Sequence, residues 1–249
     1  MTLIAAHRGG ALEAPENSPT AFAHTARLAV DQVEFDIHPT ADDEIVVFHD
    51  ATLERTSNGA GEVCRHTLAE LRALTLKGTD GEHMLTLAEF AAVFAPTKIA
   101  LRMELKSDAR HAPYPGLLVQ ALGILDAHGL RARTIVTSFN VGVAGEAAAT
   151  PGLAAAIWLV SPEVQARIGV AGVVETAGAH GVGRVGIRCT SLDAATLVAL
   201  RAAGLGVGSW ATNEAPDIAA MLSLGVDVFT TDRPTLALRM RDEAGARAE

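Results

Sequence analysis

Short apolar runs alternate with longer amphipathic stretches along most of the chain. An apolar run of about four to eight residues bounded by turn residues is typical of a buried strand, and a 3.6-residue repeat of apolar positions is typical of a helix. After residue 98 the two patterns alternate regularly. Strands are predicted at residues 3–6, 33–38, 99–106, 134–139, 153–159, 183–187, 205–210 and 226–231.

Helices are predicted between these strands. Ser18 followed by Pro19 predicts an N-cap with proline as the first helical residue. Thr67 and Thr86 are each followed three residues later by glutamate, which is the signature of a capping box. Helices are predicted at residues 19–28, from 67, from 86, at 115–128, up to about 149, at 162–180, 192–203 and 216–224, and from 234, with the tail after 241 frayed.

The second strand is predicted to turn back as a hairpin. Its polar tip at residues 40–43 is followed by another apolar run, which ends in His49. A turn centred on residues 41–43 places His49 opposite Phe35. Residues 51–85 then break the alternation and are interpreted as a small insertion.

Without the returning arm of the hairpin, the pattern comprises eight strand–helix units. Alternating units of this number and total length predict an α/β fold, a closed (β/α)8 TIM barrel, with functional residues at the carboxyl ends of its strands. The chain is expected to form a single domain over residues 1–249, with the insertion at about 51–85 after the second strand. A doubly wound open sheet is the alternative, but no GxGxxG motif follows the first strand.

Composition narrows the range of partners and compartments. The chain is 49% hydrophobic and has a net charge of −9, which repels a phosphate polymer, so no nucleic acid partner is expected. Cys64 and Cys189 lack any metal-site spacing and are expected to be free thiols in a reducing compartment, with one disulfide between them as the alternative. The start lacks a basic leader and no apolar run reaches about 18 residues, so a cytoplasmic protein without membrane spans is expected.

Carboxylates at the strand ends indicate a cation site. Glu34 and Asp36 lie two positions apart in an apolar strand, so both side chains face the same way. Burying two like charges together is costly unless a cation lies between them. Glu104 supplies a third carboxylate at the end of a later strand, and such a set favours Mg²⁺ or Ca²⁺ over zinc. The alternative is an ordinary half-buried strand whose polar face meets water.

Histidines and basic residues at the same strand ends indicate phosphate chemistry. His7 and His49 suit a general acid–base pair, because imidazole titrates near neutral pH. Arg8 and Lys106 suit the binding of phosphate oxygens. The other histidines, His38 among them, belong to no such group and are predicted to be surface or packing residues.

The candidate residues lie in six short segments spread over the chain. These are His7-Arg8-Gly9, Pro15-Glu16-Asn17-Ser18, Val33-Glu34-Phe35-Asp36, Val47-Phe48-His49-Asp50, Met103-Glu104-Leu105-Lys106 and Thr231-Asp232-Arg233-Pro234. As an ordered set they resemble the glycerophosphodiester phosphodiesterase family, most densely over residues 5–65. The resemblance implies a (β/α)8 barrel with a small insertion after the second strand. It also implies metal-dependent hydrolysis of glycerophosphodiesters to glycerol 3-phosphate and an alcohol.

The resemblance further implies a metal site and two catalytic histidines. Glu34, Asp36 and Glu104 correspond to the ligands of a divalent metal, Mg²⁺ or Ca²⁺. His7 and His49 correspond to the histidines that transfer protons. In such enzymes the glycerol 2-hydroxyl attacks phosphorus, one histidine acts as base, the other protonates the leaving alcohol, and water then opens the cyclic phosphate.

The resemblance implies substrate contacts for three more residues. Arg8 and Lys106 correspond to charged residues near the phosphate, and Trp210 to an aromatic residue near the glycerol moiety. Asp232 is predicted to be structural, bonding backbone amides near Pro234. The expected partner is a small-molecule substrate, bound by a monomer or a homodimer.

Two other functions stay open at this point. One is a phosphodiesterase on a related sugar or lysophospholipid phosphodiester, which would release a cyclic phosphate. The other is a catalytically silent barrel that binds phosphodiesters or a partner protein. The chain also departs from the family pattern at its hairpin tip, where Asp42-Asp43 replaces the usual Asp-Gly and a different turn is expected, and at Ala211, where threonine is usual.

Overall fold

Eight parallel strands form a sheet that closes on itself. The chain, described here over residues 1–246 of a computed structural model, forms β1 (Leu3–Ala6), β2 (Gln32–Pro39), β3 (Ile45–Val47), β4 (Ala100–Leu105), β5 (Thr134–Ser138), β6 (Ala155–Val160), β7 (Arg184–Arg188), β8 (Gly206–Trp210) and β9 (Val228–Thr231). All except β3 pair in parallel with their neighbours, and β1 pairs with both β2 and β9. The predicted (β/α)8 TIM barrel is therefore confirmed, and the open sheet is excluded.

Helices cover the outside of the barrel between successive strands. They are α1 (Pro19–Thr25), α2 (Leu68–Arg72), α3 (Leu87–Phe94), α4 (Leu117–Ala127), α5 (Val141–Ala149), α6 (Pro162–Ala179), α7 (Ala194–Ala202), α8 (Ala215–Leu224) and α9 (Pro234–Ala246). Gly169 interrupts α6 with a left-handed backbone. In the part of the chain that the structure describes, no helix combines the length and apolar character that crossing a bilayer requires.

The local capping signals act as the sequence predicts. The Ser18 hydroxyl accepts a hydrogen bond from the Ala21 amide, and Thr86 forms a reciprocal capping box with Glu89. The prediction of a frayed tail after residue 241 is wrong as far as residue 246, and the last three residues lie outside the described part. Arg241 bonds Asp31 in the loop before β2, and this ion pair ties α9 to the barrel.

Strand alternation separates the packing residues from the site residues. Phe35 in β2 points outward and stacks on Phe90 of α3, inside an apolar layer between sheet and helices. Glu34 and Asp36, its neighbours in β2, therefore point into the barrel. The same alternation directs Glu104 of β4 inward, because the register pairs it with Asp36.

The hairpin has the predicted register. Ile37 pairs with Val47, and the Phe48 amide donates to the Asp36 carbonyl at 3.0 Å, so the two arms remain aligned as far as His49. At the tip, Asp43 has φ 60°, the left-handed conformation that glycine favours. A short polar side chain tolerates that conformation, and the expectation of a turn different from the family's stays a prediction.

Residues 51–85 form an irregular excursion between β3 and α3. It contains a 3₁₀ turn at Val63–Arg65, helix α2 and isolated bridges instead of a further barrel strand. Its apolar side chains, including Leu53 and Leu71, pack with Phe48 as a cluster of their own beside the hairpin. The division of the chain into one domain with an insertion stays a prediction.

Candidate active site

Three buried carboxylates meet at the carboxyl ends of two adjacent strands. Glu34 and Asp36 come from β2 and Glu104 from β4, and all three are at least nine-tenths buried. One oxygen of each lies within 4.8 Å of the others. The structure thus brings together the three residues predicted as metal ligands, and the buried cluster could hold a cation.

Basic and amide groups surround the cluster, but they do not satisfy every carboxylate oxygen with a hydrogen bond. Lys106 Nζ lies 2.7 Å from Glu104 Oε1 and 3.4 Å from Asp36 Oδ1. The Arg8 amide donates to Glu34 Oε2 at 3.0 Å, and Asn17 Nδ2 donates to Asp36 Oδ2 at 2.9 Å. Among the described residues, Glu34 Oε1 and Asp36 Oδ1 accept no hydrogen bond, although Asp36 Oδ1 keeps its ion-pair contact with Lys106. Unpaired buried carboxylate oxygens are costly, so this donor set fits a hard divalent cation.

The pKa values of Glu34 and Asp36 are shifted in opposite directions. Burial, followed by the charge of Asp36, raises the pKa of Glu34 to about 8. Burial also acts to raise the pKa of Asp36, but Lys106, His49 and Arg8 outweigh it, and the pKa of Asp36 lies well below its usual range. Burial and mutual repulsion therefore favour the protonated form of Glu34, whereas the neighbouring positive charges favour the ionised form of Asp36.

His7 is oriented by an acidic residue from the last strand. Its Nδ1 lies 2.5 Å from Asp232 Oδ1, so an Nδ1–H donates to the carboxylate and Nε2 faces Glu34 at 3.8 Å. Asn213 donates to the other oxygen of Asp232 at 2.6 Å. Burial lowers the pKa of His7, but Glu34 and Asp232 outweigh burial and the net shift is upward. The Asp232 carboxylate thus bonds His7 and Asn213, not the amides near Pro234 as predicted.

His49 has an equivalent partner, the carboxylate of Asp50. Its Nδ1 lies 2.5 Å from Asp50 Oδ1, and Arg55 binds Asp50 at 2.6 Å. Arg55 also bonds Glu16, which accepts from Arg8 at 2.9 Å, so the loops after β1 and β3 are joined by one ionic chain. Burial lowers the pKa of His49. Each histidine therefore holds one nitrogen on a carboxylate and leaves the other available.

A cavity of about 270 Å³ opens beside these groups. His7, His49 and Glu104 line its polar side, and Leu159 and Trp210 line the apolar side. The indole nitrogen of Trp210 donates to the carbonyl of Gly186 at 3.2 Å, and its ring packs edge-on against Phe139 with centroids 5.5 Å apart. Trp210 is therefore held as a rigid wall of the cavity.

A model of the glycerophosphoryl diester phosphodiesterase family matches residues 7–236. This chain belongs to that family. Membership makes it an enzyme, a phosphoric diester hydrolase, and the resemblance carried by the six segments is confirmed.

Individual family members agree with the assignment. A solved structure of a family protein from Agrobacterium tumefaciens is 40% identical, with a TM-score of 0.95 and full coverage of both chains. A phosphodiesterase from Oleispira antarctica, solved in complex with the product sn-glycerol-3-phosphate, is 25% identical with a TM-score of 0.80 and 97% coverage of each chain. A glycerophosphodiester phosphodiesterase of Caldanaerobacter subterraneus is 33% identical over 144 residues, which span 56% of this chain and 58% of that protein.

His38 is a buried residue beside His49 whose contacts sequence reasoning missed. It continues the inward row of β2 beyond Asp36 and is fully buried. Its Nε2 lies 3.1 Å from the His49 carbonyl oxygen and its Nδ1 lies 3.0 Å from the Tyr114 hydroxyl. The carbonyl only accepts, so Nε2 donates and Nδ1 accepts from the hydroxyl. The available signal was the two-residue spacing from Asp36, whereas Tyr114 could not be placed from sequence.

Proposed function

We propose that this chain hydrolyses glycerophosphodiesters to glycerol 3-phosphate and an alcohol, with a divalent cation and two histidines. The observation that carries the proposal is convergence: a cluster of three buried carboxylates and two imidazoles, each with a carboxylate partner of its own, meet at one cavity. The Oleispira relative, which was solved with sn-glycerol-3-phosphate, supports the same product.

The cation would be held by Glu34, Asp36 and Glu104. An all-oxygen donor set favours Mg²⁺ or Ca²⁺, and the unpaired oxygens of Glu34 and Asp36 are available to it. When bound, such a cation stabilises the negative charge that builds on the phosphoryl oxygens.

The basic residues beside the carboxylates would bind and orient the phosphodiester. Arg8 presents a guanidinium whose planar fork suits two phosphate oxygens, and Lys106 presents a compact charge. Both side chains are mostly buried and already held by carboxylates, so little ordering is needed when substrate binds. Trp210 would pack against the carbon atoms of the glycerol arm.

His7 and His49 would transfer the two protons of the reaction. One imidazole accepts the proton of the glycerol 2-hydroxyl as its oxygen bonds to phosphorus and the bond to the leaving alcohol breaks. The other imidazole gives a proton to that alcohol. Water then attacks the cyclic phosphate, and the same two groups work in reverse to give glycerol 3-phosphate. Asp232 and Asp50 keep the reactive Nε2 atoms directed toward the cavity.

One assay identifies the product of the reaction, and a second compares the turnover of two histidine variants with that of the wild type. With Mg²⁺ or Ca²⁺ present, glycerophosphodiesters with different alcohols should release glycerol 3-phosphate, and His7→Ala and His49→Ala should lower kcat by about 10²–10⁴-fold. A p-nitrophenol leaving group needs no protonation, so it should restore turnover only to the variant that lacks the general acid.

His180→Ala, which changes an exposed histidine, is the matched control. Release of a cyclic phosphate as the final product would favour the related-phosphodiester alternative. Unchanged turnover of His49→Ala would refute the acid–base assignment. A cytoplasmic location and a monomeric or homodimeric state stay predictions from composition and family resemblance.

A further inference from the structure

The active-site cavity is lined by two buried polar groups that the proposed mechanism leaves unused. Arg102 and Thr137 line the cavity and are 3% and 1% exposed. Arg102 Nε donates to Gln32 Oε1 at 3.0 Å, but its Nη2 has no hydrogen-bond partner in residues 1–246. Thr137 Oγ1 has none within the same part of the chain. Arg102 precedes Glu104 by two residues, so its Cα lies roughly 6–7 Å further down β4, and its long side chain extends into the cavity. Thr137 is paired in register with Glu104 on the neighbouring strand.

These groups form a polar floor under apolar walls. Glu34 is paired in register with Arg102, so the guanidinium enters the cavity from the strand beside one of the proposed metal ligands. An arginine guanidinium stays protonated in proteins, so Arg102 offers only donors to the cavity. A buried donor without a partner is costly, and a complementary group removes that cost. A hydroxyl fits best, because it can accept from Arg102 while it donates to the hydroxyl oxygen of Thr137.

Two adjoining cavities indicate which part of a diester would reach this floor. A second cavity of about 520 Å³ lies on the outer side and is lined by Lys106, Ser107 and Asp108. His49 and Glu104 line both cavities, so a phosphodiester beside them would extend one arm into each. The inner cavity, about half as large, suits the short glycerol arm, and the outer one suits alcohols of different size.

We propose that Arg102 and Thr137 form a hydroxyl-binding subsite that selects the glycerol arm by its terminal hydroxyl. The inference rests on the proposed function and adds a specificity determinant to it. It places the 2-hydroxyl nearer the histidines and the terminal hydroxyl at the floor. A site that bonds a buried substrate hydroxyl rejects an analogue that lacks it, because the protein groups are then left unpaired.

The test compares two diesters that share the leaving alcohol choline. One is sn-glycero-3-phosphocholine, and the other is the propane-1,2-diol phosphocholine that keeps the 2-hydroxyl and lacks the terminal one. With Mg²⁺ present, the wild type should prefer the first by about 10- to 100-fold in kcat/KM. Arg102→Met should reduce the preference to within about threefold, with the loss falling on the glycerol substrate, and Thr137→Val should reduce it in part.

Binding and a matched variant make the outcome decisive. Calorimetry with sn-glycerol 3-phosphate and with propane-1,2-diol phosphate should show the same preference without turnover. Arg133→Met removes another partly buried guanidinium, one bonded to backbone carbonyls outside the cavity, and should leave the preference unchanged. If Arg102→Met does not fold, Thr137→Val, which keeps the side-chain volume, carries the test.

Equal cleavage of both diesters by the wild type, or an equal loss on both in Arg102→Met, would show that the floor holds water or serves packing only. That result overturns the inference and leaves the proposed function intact. A wild type that neither cleaves glycerophosphodiesters nor binds sn-glycerol 3-phosphate would overturn both.

Discussion

His38 is an imidazole whose two ring nitrogens are both engaged inside the barrel. It donates to the backbone carbonyl of His49 and accepts from Tyr114, an arrangement that only the neutral ring satisfies well. Burial lowers its pKa to about 4. The residue therefore fixes the backbone next to a proposed catalytic group and makes stability depend on pH.

The neutral state of His38 predicts loss of stability in mild acid. The unfolded ring binds a proton near pH 6.5 and the folded ring only near pH 4, so the unfolded state holds more protons between these values. The free energy of unfolding should then fall by about 2 kcal/mol from pH 7 to pH 5 through this residue alone.

Urea unfolding of the wild type and of His38→Gln at both pH values measures this term. Glutamine keeps a donor toward the His49 carbonyl but does not titrate. The free energy of unfolding of His38→Gln should therefore fall less between pH 7 and pH 5 than that of the wild type, by about 2 kcal/mol. The same pH dependence in both proteins would contradict a buried neutral imidazole at this position.

At the scale of elements, the turn after β1 positions two of the site residues. Gly9 has φ 79°, and a Cβ at this position would lie 2.9 Å from the Ala21 Cβ of α1. The turn directs the Arg8 amide at Glu34 and leaves His7 facing Asp232. Its geometry therefore depends on a residue without a side chain.

Gly9→Ala should lower both stability and turnover. The left-handed conformation costs an alanine roughly 1–2 kcal/mol, and the contact with α1 adds to that, so a loss of at least about 2 kcal/mol is expected. Turnover should fall because Arg8 and His7 move with the backbone. Denaturant unfolding and kcat measure the two effects.

Gly123→Ala is the matched control. Gly123 lies inside α4 with nothing within 4 Å of an added Cβ, so alanine there should stabilise by about 0.5–1 kcal/mol. A Gly9→Ala protein as stable and active as the wild type would contradict the role of this turn.

Local periodicity explains which parts of the structure could be predicted. The alternation in β2 directs Phe35 outward and Glu34 inward, and this depends only on neighbouring residues. The pairing of His7 with Asp232 could not be predicted, because it requires β1 to lie beside β9 when the barrel closes. Arg102 shares its face with Glu104 by the same two-residue spacing, which the sequence shows. That its Nη2 has no hydrogen-bond partner depends on all the side chains packed around it and could not be predicted.

At the scale of the whole molecule, the buried ionisable groups are concentrated in one place. The chain has a net charge of −9, yet its most buried ionisable groups gather at one barrel mouth, where unpaired carboxylate oxygens remain beside Lys106 and Arg8. Glu34 and Asp36 belong to one strand and Glu104 to its neighbour. A bound cation would therefore join β2 to β4 and couple metal binding to the stability of the barrel.

This coupling predicts a metal-dependent melting temperature that does not require turnover. At about 100 times its Kd, Mg²⁺ or Ca²⁺ should stabilise the native state by about 2.7 kcal/mol, which for a chain of this size raises Tm by roughly 5–10 °C. A chelator should reverse the shift. Glu104→Gln removes one ligand and should largely abolish it, whereas Glu146→Gln, on the exposed face of α5, should retain it. Equal shifts in the two variants would show that the cation binds elsewhere, because only Glu104 belongs to the buried cluster.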